Sequence, residues 1–511
     1  MGWLDKLLGR ADASGLPAAA APAVLEKRIS RGVRQTGRRS LQAGMTDRLT
    51  ASWTVVDQTV NMSLLKTLRA ARARSRDFVL NNEYGRKFIA LVRANIVGSA
   101  GVVLKVDCRR DDGTPDKPDS DKVLRAFTRW AKRGQCDVTG KLSWVALQKL
   151  IITMAARDGE VLVRKIEGRD RGIHRFQLQI IPGHVLPEDL NRTLSNGNRI
   201  RMGVELDGDN RPVAYWIRIE SGNADMYGAN GQRFARIPAN EIYHLFVPED
   251  AGQWRGYPWA ATSLRGARHL DQFEEAALIA ANVGAAKAVF YQQNDPDAGP
   301  LTAPPSEGEI DSAEDIGEFV ESVEPGMSSV IPMGYELKEY NPAYPNEVFE
   351  PFVKAVLRKQ ATGLLTSYHS LSGDLTQVSF SSIRQGTLDD REQWKILQGW
   401  LIEDFLEPLF ADWLARALMF DSELRTLPAA KFDKFNAPVF QGRRWDWVDP
   451  KSDIAANQGA VELGVKSRAQ IIRENGGDPE QVWAELDAEK ARGFTITKAP
   501  AAAPAAPPET E

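Results

Sequence analysis

From Pro258 to about Ala286 the sequence carries a helical pattern without a break. At 1.5 Å per residue those 29 positions would reach about 43 Å, too long for a compact core to enclose. A second helix is expected over 346–365, where Val348, Phe349, Phe352, Val353, Val356 and Leu357 share a face. Between the two the character changes: residues 288–350 hold 14 acidic side chains against one basic residue, Lys338, for a net charge of −13. Any fold must therefore accommodate a long helix, an acidic insert and a returning helix. The second half of the first helix, with Ala276, Ala277, Ala280, Ala281, Gly284, Ala285 and Ala286, is small enough for another backbone to approach closely. The alternative is that alanine serves there simply as the best helix former.

Charge is sorted along the chain. Lys and Arg number 65 and Asp and Glu 68, a net of −3 that is too balanced for a protein whose whole surface binds nucleic acid or anionic membrane. Residues 1–100, however, carry 17 basic and 7 acidic side chains, net +10. Residues 1–76 read as a basic arm containing Lys27, Arg28, Arg31, Arg34, Arg38 and Arg39, then Lys66, Arg69, Arg72, Arg74 and Arg76. Such an arm is either a solvated tail or a surface for nucleic acid or a neighbouring subunit.

With 43% hydrophobic and 26% charged residues over 511 positions, two to four folded units are expected. Cys108 and Cys136 could form at most one bridge, which favours a reducing, intracellular setting. The first ten residues lack an apolar run of signal-peptide length, and no segment approaches the roughly 20 apolar residues that span a bilayer, so a soluble chain is expected.

The folded part is expected to begin with an amphipathic helix over 77–97, then a strand over 102–106 and helices near 119–133 and 143–156. Runs at 200–206 and 212–219 flank Asp207-Gly208-Asp209-Asn210, a hairpin signal. After the insert, 366–381 reads as a polar linker. Ser382 and Gln385 have capping-box spacing and open a long helix that Pro408 should kink. Three helices follow near 453–463, 467–475 and 479–490, and 494–511 is Ala/Pro rich and expected to be disordered. The fold class is α+β.

Catalytic signatures are missing. The nearest approach to a phosphate-binding loop, Gly134 to Leu142, has five residues between its glycines and Leu142 where a hydroxyl belongs. Asp295 to Pro300 begins like a calcium loop but places Pro where the sharp-turn glycine should stand. The histidines His174, His184, His244, His269 and His369 are scattered without zinc-ligand spacing, so structural roles are expected for them. No catalytic residue, metal site or cofactor is expected.

The order of several segments is informative. Ile180-Ile181-Pro182 comes first, then Gly203 to Leu206 leading to Arg211 to Trp216, then Ile237 to His244. Arg255-Gly256-Tyr257-Pro258-Trp259 precedes the Ala-rich helix, and Trp447-Val448-Asp449-Pro450 comes late. Together they resemble the portal proteins of tailed bacteriophages, the lambda-like family in particular, over about residues 50–490. The resemblance implies a homo-oligomeric ring, usually of twelve subunits, at one capsid vertex of the virion, assembled in the host cytoplasm. Through it a terminase motor packages double-stranded DNA, which later leaves by the same route.

It also implies a division of the chain. Residues 77–255 correspond to the first part of a wing, 256–286 and 346–365 to two stem helices, and 287–345 to a clip. Residues 366–381 correspond to a tunnel loop, 382–450 to the second part of the wing, and 451–493 to a crown. The clip, with Glu307, Glu309, Asp311, Glu314, Asp315 and Glu318, would face the terminase large subunit and the head-tail connector proteins. The major capsid protein and scaffold are further implied partners, and no membrane is involved. Lys354, Arg358, Ser372, Thr376, Gln377 and Ser379 would line the DNA tunnel. Lys354 and Arg358, four apart, would form stacked basic belts in a ring, which would either steady the DNA or pair with Glu350 and neighbouring subunits, the second being favoured.

Two other functions remain open at this point: a packaging enzyme, ATPase or nuclease, and a head-assembly scaffold without a channel. The physical case for a conduit is that each cation neutralising a phosphate adds affinity that must be broken at every step. An acidic, repelling mouth keeps that friction low.

Overall fold

The computed structural model describes residues 48, 57–219, 233–285, 289–293, 335–339, 349–376, 379–445, 450–475, 477 and 479–493. The chain divides into two units, Met1–Thr59 and Val60–Glu511. Of the first, only 48 and 57–59 are described, so the basic residues expected at 27–39 lie outside the described residues, as does the tail 494–511. No helix among the described residues is long and apolar enough to cross a membrane.

The second unit starts earlier than its sequence suggests. Helix α1, Val60–Asn81, takes in the basic run of 66–76, and Leu64, Leu68, Arg72, Ser75 and Phe78 form its buried face. It stops at Asn82, whose side chain accepts from the backbone N–H groups of Tyr84 and Gly85 and so caps α2, Glu83–Val92. The single helix expected over 77–97 is thus two, with a π turn, Arg93–Val97, at its end. Gly85 makes the corner possible, because a Cβ there would stand 2.2 Å from the carbonyl oxygen of Phe78.

Strand β1, Val103–Val106, and helices α3, Lys117–Trp130, and α4, Trp144–Asp158, stand where the periodicity puts them. Ser143 caps α4 at one end and Gly159, at φ +90°, closes it at the other. Strand β2, Val161–Glu167, is the centre of a three-stranded antiparallel sheet, flanked by β3, Phe176–Pro182, and by a strand from 242–245.

A five-stranded antiparallel meander follows: β4 (Arg192–Thr193), β5 (Arg199–Arg201), β6 (Val204–Leu206), β7 (Pro212–Ile219) and β8 (Arg233–Pro238). The expected hairpin is β6–β7. Asp207 accepts the N–H groups of Asp209 and Arg211 at 2.9 and 2.8 Å, the local bonding that makes Asp a turn former. Its first arm is shorter than expected because Met202 and Gly203, both at positive φ, turn the chain between β5 and β6. The returning strand β9, Ile242–Leu245, completes the first sheet.

Helix α5 runs over Leu264–Ala285, not from Pro258. Residues 258–263 form turns, held by bonds from Ala261 N to Pro258 O and from Ser263 N to Ala260 O, while Trp259 N donates to Ala156 O at 3.1 Å. The antiparallel pair β10, Val289–Gln293, and β11, Tyr335–Glu339, follows, and then α6, Phe349–Gly363. Phe273 of α5 packs on Phe349 and Phe352 of α6 at 5.6 and 4.9 Å between ring centres.

The stretch expected as a loop contains a short helix, α7, Tyr368–Ser372, closed by Gly373 at φ +74°. Helix α8, Phe380–Leu401, is capped by Ser379 instead of Ser382, whose backbone N–H Ser379 accepts at 3.2 Å. A π turn over Ile402–Leu406 joins it to α9, Glu407–Phe420, with Pro408 in the first turn. The irregularity therefore falls just upstream of Pro408, which has no N–H to offer the preceding turn.

After α10, Phe432–Phe435, strand β12, Pro438–Gln441, pairs antiparallel with β1, bringing the two ends of the folded body together. Helices α11 (Pro450–Glu462), α12 (Arg468–Glu474) and α13 (Pro479–Ala491) close the described chain.

The main core joins α3, α4 and α9 through aromatic rings. Phe127 meets Trp413 edge-on at 4.9 Å, and Trp130 lies 5.5 Å from Trp144 while its indole N–H donates to Phe176 O. Cys108 and Cys136 are buried and unbridged.

Candidate functional site

The segment that launches α5 is fixed by a buried carboxylate that local pattern does not announce. Glu160, fully buried, receives Arg255 through Nε at 2.9 Å and through Nη2, Arg72 Nη2 at 2.9 Å, His244 Nε2 at 3.0 Å and the Gly256 N–H at 3.1 Å. Burial alone would raise its pKa, but Arg255, His244 and Arg72 outweigh that and hold it well below the usual carboxylate range.

Arg255 also donates to the carbonyls of Leu186, Met202 and Gly183, so one guanidinium ties the meander to the three-stranded sheet. Arg72 reaches Glu188 at 2.7 Å, and Arg76 pairs bidentately with Asp158 at 2.8 and 3.0 Å. These two arginines come from the run assigned to a basic arm. They are spent inside the protein because their partners, 80 and more residues downstream, are buried beside them.

Backbone shape completes the anchor. A Cβ on Gly256 would stand 2.1 Å from Gly159 O, and one on Gly159 would stand 2.2 Å from the carbonyl carbon of Tyr257. The two glycines pass each other at a distance no side chain allows. The segment Arg255 to Trp259 is thereby clamped between α4 and the sheets, and α5 leaves from it.

At the far end of the returning helix, α6 meets the polar stretch 366–379. Gly363 lies so close to α5 that a Cβ would stand 2.4 Å from Ser263 Oγ, and Ser263 and Thr262 donate to the carbonyls of Gln360 and Gly363. Lys354 Nζ lies 2.6 Å from Glu350, 3.4 Å from Asp374 and 3.5 Å from Thr376 Oγ1. Its pKa is raised, first by the bond to Glu350.

Asp374 organises the turn: it accepts Thr376 N–H at 2.9 Å, Thr376 Oγ1 at 2.5 Å and Tyr368 Oη at 2.8 Å. The two bonds from Thr376, then Tyr368 and Lys354, hold its carboxyl well below the usual range. Arg358 lies over the Tyr368 ring at 5.5 Å, and Ser372 Oγ donates to Tyr368 O. Ser379 is exposed and bonds Ser381 and Ser382.

Of the expected tunnel residues, the structure brings Lys354, Arg358, Ser372 and Thr376 together around Asp374 and Tyr368, with Ser379 at the next helix start. Gln377 lies outside the described residues, as do Glu307, Glu309, Asp311, Glu314, Asp315 and Glu318. Within the chain Lys354 pairs with Glu350 and Asp374. Asp374 and Tyr368 were missed as organisers, although the Asp-x-Thr spacing of an Asx turn was there to see.

His174 lies between Trp413 Nε1 and Asp421 Oδ2, both at 2.9 Å, His184 bonds Arg76, and His369 Nδ1 lies 2.9 Å from Asp374 O, while His269 is exposed. No cluster among the described residues has the His, Cys, Asp and Glu grouping that would hold a metal ion.

A family model described as phage portal protein, lambda family, matches residues 46–398. The chain belongs to this family. A portal relative in Halomonas phage phiHAP-1, named "Probable portal protein", is 34% identical over 450 residues, covering 88% of this chain and 85% of its own length. Portal protein B of Escherichia phage lambda is 23% identical over 483 residues, covering 85% of this chain and 86% of itself. Among solved structures, a chain in the neck of a native GTA particle computed with C12 symmetry is similar at a TM-score of 0.42 and 13% identity, over 80% of this portal and 94% of that chain.

Proposed function

We propose that copies of this portal close into a ring, twelve-fold in keeping with the family, at one vertex of a phage capsid. The ring conducts double-stranded DNA inward during packaging and outward at ejection, and carries no catalysis of its own. The observation that carries this reading is the family match across 46–398, backed by 34% identity to a portal relative over most of both chains.

In this reading α5 and α6 are the stem, β10–β11 opens the clip, and the turn around Asp374 faces the bore. Lys354, Arg358, Ser372, Thr376, Gln377 and Ser379 line it. What supports this is the charge state of the stem: Lys354 is neutralised by Glu350 and Asp374, and Arg358 is spread over an aromatic ring. A passing phosphate meets one ion-paired lysine, one arginine held over a ring and several hydroxyls, so fewer counterions are released than at two unpaired cations and less affinity has to be broken per step. Phe273, Leu278 and Ile279 of α5 are exposed in the single chain, which suits burial by neighbouring copies.

The clip, including Glu307, Glu309, Asp311, Glu314, Asp315 and Glu318, docks the terminase large subunit and later the connector proteins. The acidic stretch 288–350, of net charge −13, repels DNA at contact range. Deleting 295–343 tests the assignment. Rings should still form while terminase docking and packaging are lost; loss of rings, or packaging at the parent level, would contradict it.

A further inference from the structure

A basic cleft of about 700 Å³ opens where the end of α2 meets the segment after β12. Arg93, Lys149, Arg443 and Arg444 line it, and no Asp or Glu does among the described residues. Two of the four are committed to backbone: Arg443 Nη1 donates to Ala94 O at 2.6 Å and Lys149 Nζ to Ser99 O at 3.2 Å. Gly98, at φ +75°, leaves room for the Arg443 side chain across the helix end. Those bonds, with Gln398 Nε2 on Asn95 O at 2.8 Å, satisfy the carbonyls that would otherwise make a helix C-terminus negative. They do not cancel the charge of the cations. Arg93 and Arg444 are exposed, and neither forms an ion pair among the described residues.

The same long helix shows the opposite sign on its other side. Gln398 bonds the carbonyls of Asn95 and Arg443 from the inner face of α8, a face that also carries buried Leu397, Leu401 and, in the π turn, Phe405. Glu403, Asp404 and Glu407 are exposed on the outer face, without an ion-pair partner among the described residues. Partial desolvation at its root, then Glu403 beside it, pushes the exposed Asp404 carboxyl up against the lowering effect of a bond from Trp400.

A subunit of a closed ring meets its two neighbours with two different surfaces, which must complement each other. We infer that the cleft of Arg93, Lys149, Arg443 and Arg444 receives Glu403 and Glu407 of the adjacent copy, so that each ring contact carries this charge pairing. The inference rests on the ring reading above. Glu403 in the π turn and Glu407 at the start of α9 stand one turn apart, both exposed, so that two arginines in one cleft can engage them together. A cleft of this volume takes a few side chains and offers no extended track for a duplex.

The experiment uses the full chain in two surface variants, Arg93→Glu with Arg444→Glu, and Glu403→Lys with Glu407→Lys. Ring formation is followed by analytical ultracentrifugation and negative-stain microscopy, with thermal unfolding of each variant as a check on the fold. Each variant alone should keep its unfolding midpoint yet need at least about tenfold more protein to form rings. An equimolar mixture should assemble again, as even-numbered rings in which the two variants alternate, and a chain carrying all four substitutions should also recover.

Variants that assemble like the parent would overturn the inference and leave the ring reading intact. So would folded variants whose mixture stays unassembled, since complementary charges at one shared contact must restore each other; a DNA-contacting cleft would instead leave assembly at the parent level. A parent chain that forms no ring under the same conditions removes the ring reading itself, and the inference with it.

Discussion

The ion pairs around Glu160 and those around Asp374 use the same side-chain chemistry in opposite settings. Glu160 and its two arginines are sealed from water, whereas the Lys354 pair stands at the surface with Glu350 three-quarters exposed. Buried, a carboxylate is worth most through what its loss leaves behind, here the sealed Arg255 guanidinium with no counter-charge. Exposed, it is screened and shifts partners easily. The first arrangement fixes the direction in which α5 leaves the body; the second lets a surface be polar without being sticky.

The comparison breaks most visibly at Glu160. Glu160→Gln should cost roughly 3–5 kcal/mol in urea unfolding, because Arg255 would remain buried without a counter-charge and Arg72 would keep only Glu188. A loss below about 1 kcal/mol would mean that the cluster is wetter than its geometry states.

A smaller effect sharpens the picture at His174. Trp413 donates to Nδ1, so Nε2 carries the proton toward Asp421 and the ring is neutral. Burial lowers its pKa, while the unfolded chain takes up a proton near pH 6.5. The unfolded state then binds more protons, so stability should fall as pH drops below about 6.5, by up to about 1.4 kcal/mol per unit until the folded pKa is reached. His174→Gln should remove that slope, and a slope that persists would place its origin elsewhere. The smallest effect belongs to Lys354→Ala, which should leave the unfolding midpoint unchanged at about 0.5 M salt, where exposed pairs are screened.

What the sequence shows of this fold is what short-range chemistry controls. The helix of 144–158 between Ser143 and Gly159, and the hairpin at Asp207, are written in residues within a few positions of each other. Arg72 is the opposite case. Among five bases in eleven positions it looks like a solvated face, and only Glu160 and Glu188 make it interior. The start of α5 was overextended for a related reason: residues 258–263 are compatible with helix, but Trp259 and Ser263 are claimed by Ala156 and Gln360. Three serines near 380 satisfy the same capping rule, and which one acts depends on how the turn at Asp374 delivers the chain. Around the candidate site, Lys354 and Arg358 could be picked out by spacing, whereas the pairing of Lys354 needed a turn whose Asp sits 20 residues away.

The central claim, a ring that conducts DNA, is tested most directly by a reconstruction of the purified chain with duplex DNA present. The account predicts a closed ring with an axial pore, α5 and α6 running beside it, and residues 288–350 at the narrow mouth. Particles of one or two chains, or a ring whose acidic segment lies far from any pore, would contradict it.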